Sequence, residues 1–480
     1  MLAASAAPLV FNTHIARAAP VLQPTVDATT GLPLLKLPAG FSYSSMSWSG
    51  DPMSDGNAVP DRHDGMAVVP GALPNEVVLL RNHERYGGTP IAGDKVPVYD
   101  EFSMPLSVAR RLGSSLNMAG GVTGVVLRDD EYAETVPLIG GTMINCAGGV
   151  TPWGTWLTCE ETLLRGSNID LAEGGSAKDH GYVFEVPPPH MGPASAVPIK
   201  DMGFFRHEAA AIDPNTGYGY LTEDNGPHSG FYRFIPHNLE GKLGSLDEGG
   251  ALSMLKVKGM DNRNLTADIE GSAYDVEWIA IEDPDADPEI LNSYGNGLEN
   301  VGGQGKSGPF LQGEAQGAAR FSRGEGIWEY DGRIYWIDTA GGPAGAGSVW
   351  LYDPTVERLV CIFASASEVE ADAIDNIAIR PTDGMIILCE DGGGVQGPDG
   401  EFLIGARLLV SKQPGHDVIA FAENNTDLRN GVPGRSAIPA NDYRTGEWAG
   451  ATFSADGETL YANLQNPGIT VAIRGPWASL

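Results

Sequence analysis

HEAAAIDPNTGYGYLTEDNG (207–226) is the stretch that decides the fold. An apolar run, an Asp-Pro-Asn-Thr-Gly turn and a second alternating run ending in acids and an amide make the pattern of a β-hairpin. The phrase recurs. Its clear copies are EGIWEYDGRIYWIDTAGG (325–342), DNIAIRPTDGMIILCEDGGG (375–394) and AGATFSADGETLYANLQNPG (449–468), and looser ones are DGMAVVPGALPNEVVLLRNHE (64–84) and GTMINCAGGVTPWGTWLTCEE (141–161). Six such hairpins predict an all-β chain, a six-bladed β-propeller with long inserted loops and a few short helices. Two separate β-domains are the alternative arrangement.

The copies are unevenly spaced, so the propeller is expected to span 21–480 as a single domain with insertions at about 85–135 and 236–320. The first insertion holds a helical candidate, SMPLSVARRLGSSLNMAGG (103–121), and the second a Gly-rich polar stretch at 295–317, read as a functional loop.

Composition agrees. Of 480 residues, 64 are Gly and 34 are Pro, which excludes a helical bundle. A formal charge of −32 argues against nucleic-acid or anionic-membrane partners. No apolar run is long enough for a membrane helix, so no membrane insertion is expected. The cysteines Cys146, Cys159, Cys361 and Cys389 form neither a CxxC pair nor a disulfide framework. Residues 1–20 are similar to the rear half of an export signal with an A-x-A-like cleavage site, or form a flexible lead-in, which points to a periplasmic or secreted protein.

Chemistry collects at strand ends. The second strands close on Asn82-His83-Glu84, Cys159-Glu160-Glu161, Glu223-Asp224-Asn225, Asp338 and Glu390-Asp391, while first strands open on Glu208, Glu325 and Asp375-Asn376. Carboxylates that converge on one axis repel unless cations bind among them. Oxygen donors suit calcium or magnesium, and a thiolate suits a softer transition metal. Cys159, directly before two glutamates, is the expected thiolate, whereas Cys146, Cys361 and Cys389 read as core thiols. Arg323 shares a strand face with Glu325, so its guanidinium is placed either to grip a phosphate oxygen or to pair with a carboxylate.

Other motifs fail on their own terms. Gly392, Gly394 and Gly397 match GxGxxG without a following helix, GQGKSG (303–308) has Asn300 where a Walker loop needs glycine, and DPDADPEI (283–290) lacks the sixth-position glycine of a calcium loop. His83 and His207 precede glutamates without forming HExxH, and no GxSxG occurs.

GGTMINCAGGVTPWGTWLTCEE, GFFRHEAAAIDPNTGYGYLTED, FSRGEGIW and DNIAIRPTDGMIILCEDGGG resemble the PhoX alkaline phosphatase family over most of residues 30–475. The resemblance implies a six-bladed propeller with an iron and calcium cluster that hydrolyses phosphomonoesters after twin-arginine export. It implies Cys159 as the thiolate ligand of iron. Glu208 and Glu325 are then carboxylates holding iron and bridging to calcium. Glu160, Glu223, Asp224, Glu390 and Asp391 are implied as calcium ligands, with Glu84 and the substrate-binding candidate Asn82 less closely matched. Arg323 corresponds to the phosphate-binding arginine, stabilising equatorial charge while the metals polarise the phosphoryl group. Two departures stand out. No twin-arginine pair precedes residue 20, and Val150 and Thr151 occupy the place where phosphatase members are expected to carry a lysine. The reading is a monomeric, exported enzyme acting on a small-molecule phosphomonoester. Its rivals are a calcium-dependent propeller hydrolase of lactones or other esters and a non-catalytic, metal-stabilised binding propeller.

Overall fold

The structure, a computed structural model, describes residues 20–104, 116–168, 170–171, 175–290, 305–396, 402–412 and 418–480. Each of the six hairpin phrases forms an antiparallel pair. In every case the first strand carries a register shift within its first five residues, at His63/Met66, Asn145/Gly148, His207/Ala210, Gly324/Ile327, Ile374/Ile377 and Ala449/Thr452. A bulge of this kind re-aims the side chains at the strand start.

The first strands neighbour one another in a closed circuit. His63–Pro70 lies beside Asn145–Val150, then follow His207–Ile212, Gly324–Tyr330, Ile374–Ile379 and Trp448–Phe453, which returns to His63–Pro70. Further strands add outward to give a propeller-like arrangement of sheets. Ser42–Met46 pairs with Ile469–Arg474, so the N-terminal part of the chain completes the sheet built by its C-terminal strands. Gln23–Thr25 and Leu35–Leu37 extend the sheet of Ile374–Ile379. Ala273–Ala280 pairs with Arg358–Ala364 and so fuses two neighbouring units into one nine-stranded sheet.

Small residues let the first strands approach. A Cβ on Gly149 would lie 1.7 Å from the Ala210 carbonyl oxygen, and one on Gly65 would lie 2.5 Å from Ala147 Cα. Apolar clusters fill the spaces between sheets, with Phe231 stacked on Trp336 at 3.9 Å between ring centroids. Burying one such side chain contributes about 1.5–3 kcal/mol.

The expected insertions are partly sheet. Gly120–Arg128 and Glu131–Thr142 are the third and fourth strands beside Glu76–His83, and Gly250–Val257 and Ala273–Ala280 extend the sheet of His207–Ile212. The repeated phrase covers first and second strands only, and these strands add beyond it at the sheet edge. Residues 105–115 of the helical candidate at 103–121, residues 295–304 of the Gly-rich stretch at 295–317, and Gly397 lie outside the described residues. Among the described residues one α-helix occurs, Gly308–Ala315, capped by Ser307 Oγ, which accepts from the Phe310 amide at 3.2 Å. The acidic turn at 283–290 is structural. Asp285 accepts from Arg165, Tyr182 and Lys200. No helix among the described residues is long and apolar enough to cross a membrane.

Candidate metal centre

The second residue of each first strand sits at the bulge. These residues are Asp64, Cys146, Glu208, Glu325, Asp375 and Ala449. The first five are buried. Ligand atoms of Cys146, Glu161 and Glu208 all lie within 4.8 Å of one another, as do those of Glu208, Glu325 and Asp375, so Glu208 joins two groups. The Cys146 thiol also faces Asp64, Sγ to Oδ1 3.9 Å.

An outer tier comes from the second strands. The last residue of each pairs with the first residue of the first strand: His83 with His63, Glu160 with Asn145, Glu223 with His207, Asp338 with Gly324, Glu390 with Ile374 and Leu464 with Trp448. The next residue donates its amide back across the pair. Glu84 bonds to Arg62 O, Glu161 to Ile144 O, Asp224 to Arg206 O, Thr339 to Arg323 O, Asp391 to Ala373 O and Gln465 to Glu447 O. Because strand side chains alternate, the paired residue turns into the sheet and its successor turns to the axis. Glu84, Glu161, Asp224, Asp391 and Gln465 accordingly line a polar pocket of about 440 Å³ over the buried ring.

Four of the nine expected metal ligands lie away from this pocket. Glu160 accepts from the amides of Met143 and Gly181 and contacts His180 Nδ1 at 2.6 Å. Glu223 accepts from Gly230 N and Tyr232 Oη, and Glu390 from Arg407 Nε and Asp372 N. All three hold strand ends and face away from the pocket. Cys159 shares a face with Leu157 in an apolar cluster with Val183 and Phe205, so Cys146 replaces it as the thiol at the centre. Asn82 is buried and clamps the Cys146 strand, donating to Cys146 O at 3.1 Å and Ala147 O at 2.6 Å and accepting from Trp156 Nε1. His83 and His207 bond to backbone or threonine and are structural. Val150 ends the Cys146 strand at its far end and Thr151 follows it, and neither lines this pocket.

Glu84, Glu208, Asp224, Glu325, Asp391 and Arg323 do converge as expected. Arg323 holds Asp224 at two points, Nε to Oδ1 3.0 Å and Nη2 to Oδ2 3.2 Å, and lies 2.8 Å from Glu325 Oε1. Two further arginines were missed. Arg206 pairs with Glu161, and Arg62 donates to Glu84 at 3.1 Å. The signal was present as three tripeptides, Arg62-His63-Asp64, Arg206-His207-Glu208 and Arg323-Gly324-Glu325. Cys146 was likewise legible by position, since Asn145-Cys146-Ala147 aligns with His207-Glu208-Ala209. Asp375, Glu161 and Glu447 complete the acidic lining, and Asp64 lies beside it, accepting from Gln465 Nε2 at 3.0 Å.

Charge is in excess. Burial, followed by repulsion among the carboxylates, pushes Asp64, Glu208 and Glu325 well above the ordinary range. Burial also carries Glu161 up to about 8 and Asp375 to about 7. Both oxygens of the fully buried Glu208 carboxylate have no hydrogen-bond partner among the described residues. A buried carboxylate without a donor is costly unless it meets a cation. The donor set, several carboxylates and one thiol, therefore fits oxygen-preferring divalent cations beside a thiophilic transition metal.

No curated protein matches the sequence. Among solved structures, Pseudomonas fluorescens PhoX in complex with vanadate, a transition state analogue, superposes with a TM-score of 0.60 at 17% identity, covering 96% of this chain and 98% of that one. The PQQ domain of pyranose dehydrogenase from Coprinopsis cinerea is more distant, with a TM-score of 0.40 at 9% identity, covering 92% of this chain and 97% of that one. A family model described as alkaline phosphatase PhoX matches residues 21–123 and 100–468, and by that match the chain belongs to the alkaline phosphatase PhoX family.

Proposed function

We propose that the chain is a metal-dependent phosphomonoesterase built as a single six-bladed propeller over 21–480, with its reaction centre in the acidic pocket. The observation that carries the reading is the joint geometry of two groups. A buried ring of Asp64, Cys146, Glu208, Glu325 and Asp375 demands cations, and Arg62, Arg206 and Arg323 stand at the pocket above it. The closed circuit of six first strands, each with a bulge near its start and the same amide bond, supports the blade count.

Cys146, Glu161, Glu208, Glu325 and Asp375 would hold the metals, with iron at the thiol and calcium among the carboxylates of Asp224, Asp391 and Glu84. Metal bound there supplies Lewis-acid polarisation of a phosphoryl group. The chain's own part is positioning. Arg323, already aligned by Asp224 and Glu325, presents its remaining donors to a phosphate oxygen and stabilises charge on the equatorial oxygens of the transition state. Arg62 and Arg206 offset the carboxylates around them, so that an anionic substrate can enter a pocket otherwise lined by acids. A calcium-only centre for lactones or other esters is less well supported, because a hard cation gains little from the Cys146 thiolate.

The small-molecule substrate, a monomeric state and export of the chain are parts of the same proposal. The test is elemental analysis of purified, unchelated protein together with hydrolysis of p-nitrophenyl phosphate on that sample. Iron and calcium with turnover are expected, and a metal-replete protein without turnover would overturn the reading.

A further inference from the structure

The axis has a second end. Beyond the acidic ring, Gly65, Gly148, Gly326 and Gly450 bring the first strands so close that only a void of about 20 Å³ remains between them. On the other side the strands diverge around a cavity of about 760 Å³, which shares the wall residues Val150, Trp328 and Glu329 with a smaller one of about 170 Å³. The larger cavity falls within the range of small-molecule sites, roughly 300–1,000 Å³. The constriction leaves room for one water at most, so this cavity is separate from the metal centre.

Its chemistry differs from that of the pocket at the near end. The walls are largely apolar, with Val68, Trp328, Tyr330 and Phe453 prominent and Leu73, 52% exposed, at the rim. No lysine or arginine lines either cavity among the described residues, while Glu76, Glu329 and Asp331 do, and of these Glu76 is paired with Arg128 at 2.9 Å. One Glu329 oxygen accepts from the Gly332 amide at 2.8 Å. No basic side chain pairs with Glu329 or Asp331 among the described residues. The carboxyl of Glu329 is raised above its ordinary value, chiefly by burial, with Asp213 and Asp331 adding to it against the Gly332 amide. An apolar cavity with aromatic walls and carboxylates that lack a counter-cation complements one kind of ligand.

We propose that this far cavity is a second binding site, independent of the metal centre, for a small organic cation with an apolar body, of the aryl-alkyl quaternary ammonium class. The cation charge meets Glu329 and Asp331, and the face of Trp328 or Tyr330 receives the ammonium through its ring quadrupole while the apolar body lies against Val68 and Phe453. The site does not depend on the phosphatase reading.

The probe is benzyltrimethylammonium chloride in isothermal titration with the full, metal-replete chain, and benzyl alcohol is the neutral control. The cation is expected to bind roughly tenfold or more tightly than the alcohol. Glu329→Gln, which keeps an acceptor for the Gly332 amide, should weaken the cation roughly tenfold, and the exposed Asp331→Asn about two- to threefold. Saturating inorganic phosphate should leave the affinity unchanged. Equal affinity for the alcohol, no heat from the cation, indifference to both substitutions in folded protein, or displacement by phosphate would each overturn the proposal.

Discussion

Arg323 grips Asp224 with two parallel hydrogen bonds while its Nη2 lies 2.8 Å from Glu325, so one guanidinium ties an outer-tier carboxylate to a buried ring carboxylate. The Arg323 backbone adopts φ 66°, a left-handed conformation uncommon outside glycine. The bulge that follows holds it there, and the side chain is thereby aimed into the pocket. Arg323→Lys keeps the charge but loses the fork, and kcat/KM for p-nitrophenyl phosphate should fall by about 10²–10³. Metal content by elemental analysis should stay at the wild-type level, whereas parallel loss of metal would assign Arg323 to the ligand scaffold.

The two candidate cysteines separate cleanly. Cys146→Ser should lose iron and activity together, because it removes the thiol facing Glu161 and Glu208. Cys159→Ala should keep both and cost about 1–2 kcal/mol of stability, since it only opens space among Leu157, Val183 and Phe205. Iron analysis and thermal melting on the two variants check the pair.

Stripping the metals should destabilise the fold. Removing cations with a chelator leaves Glu208 without a partner among neighbouring carboxylates. Tm should fall by several degrees or more and recover on adding back calcium and iron, and a Tm indifferent to chelation would place the metals elsewhere.

His180 makes stability depend on pH. It lies 2.6 Å from Glu160 and 3.3 Å from Asp100. Burial alone would lower its pKa, but the two carboxylates outweigh that and raise it from 6.5 to about 9. A folded pKa above the unfolded one means stabilisation that is complete below about 6.5 and lost as pH rises through about 9. The Tm advantage of the wild type over His180→Gln should therefore shrink between about pH 6 and pH 10. An advantage that grows over that span would contradict the assignment.

The close approach of the first strands sets a steric test. Gly149→Ala would place a methyl 1.7 Å from the Ala210 carbonyl oxygen and must push two neighbouring strands apart. A loss of about 1–3 kcal/mol by denaturant unfolding is expected, and wild-type stability would show that the circuit is looser than described.

The hairpin units were legible in the chain, because apolar alternation around Asp-Gly and Asn-Thr-Gly turns is a local property. The sequence also showed that acids and amides gather where strands end, and the fold brings Arg323, Glu325, Glu208, Asp224, Asp391 and Glu84 to one pocket. Third and fourth strands such as Gly120–Arg128 were less legible, because their partners are set by sheet addition and not by a turn motif. Which acid of each pair faces the axis was decided only by the tertiary structure. Strand alternation guarantees that Glu160 and Glu161, Glu223 and Asp224, and Glu390 and Asp391 point opposite ways, yet it does not say which side is the axis. The bulges shift the phase of each first strand, and the packing of neighbouring sheets picks the face. That choice sends Glu161 and Asp391 to the pocket, Glu160 and Glu390 to His180 and Arg407, Cys159 to the core and Cys146 to the centre.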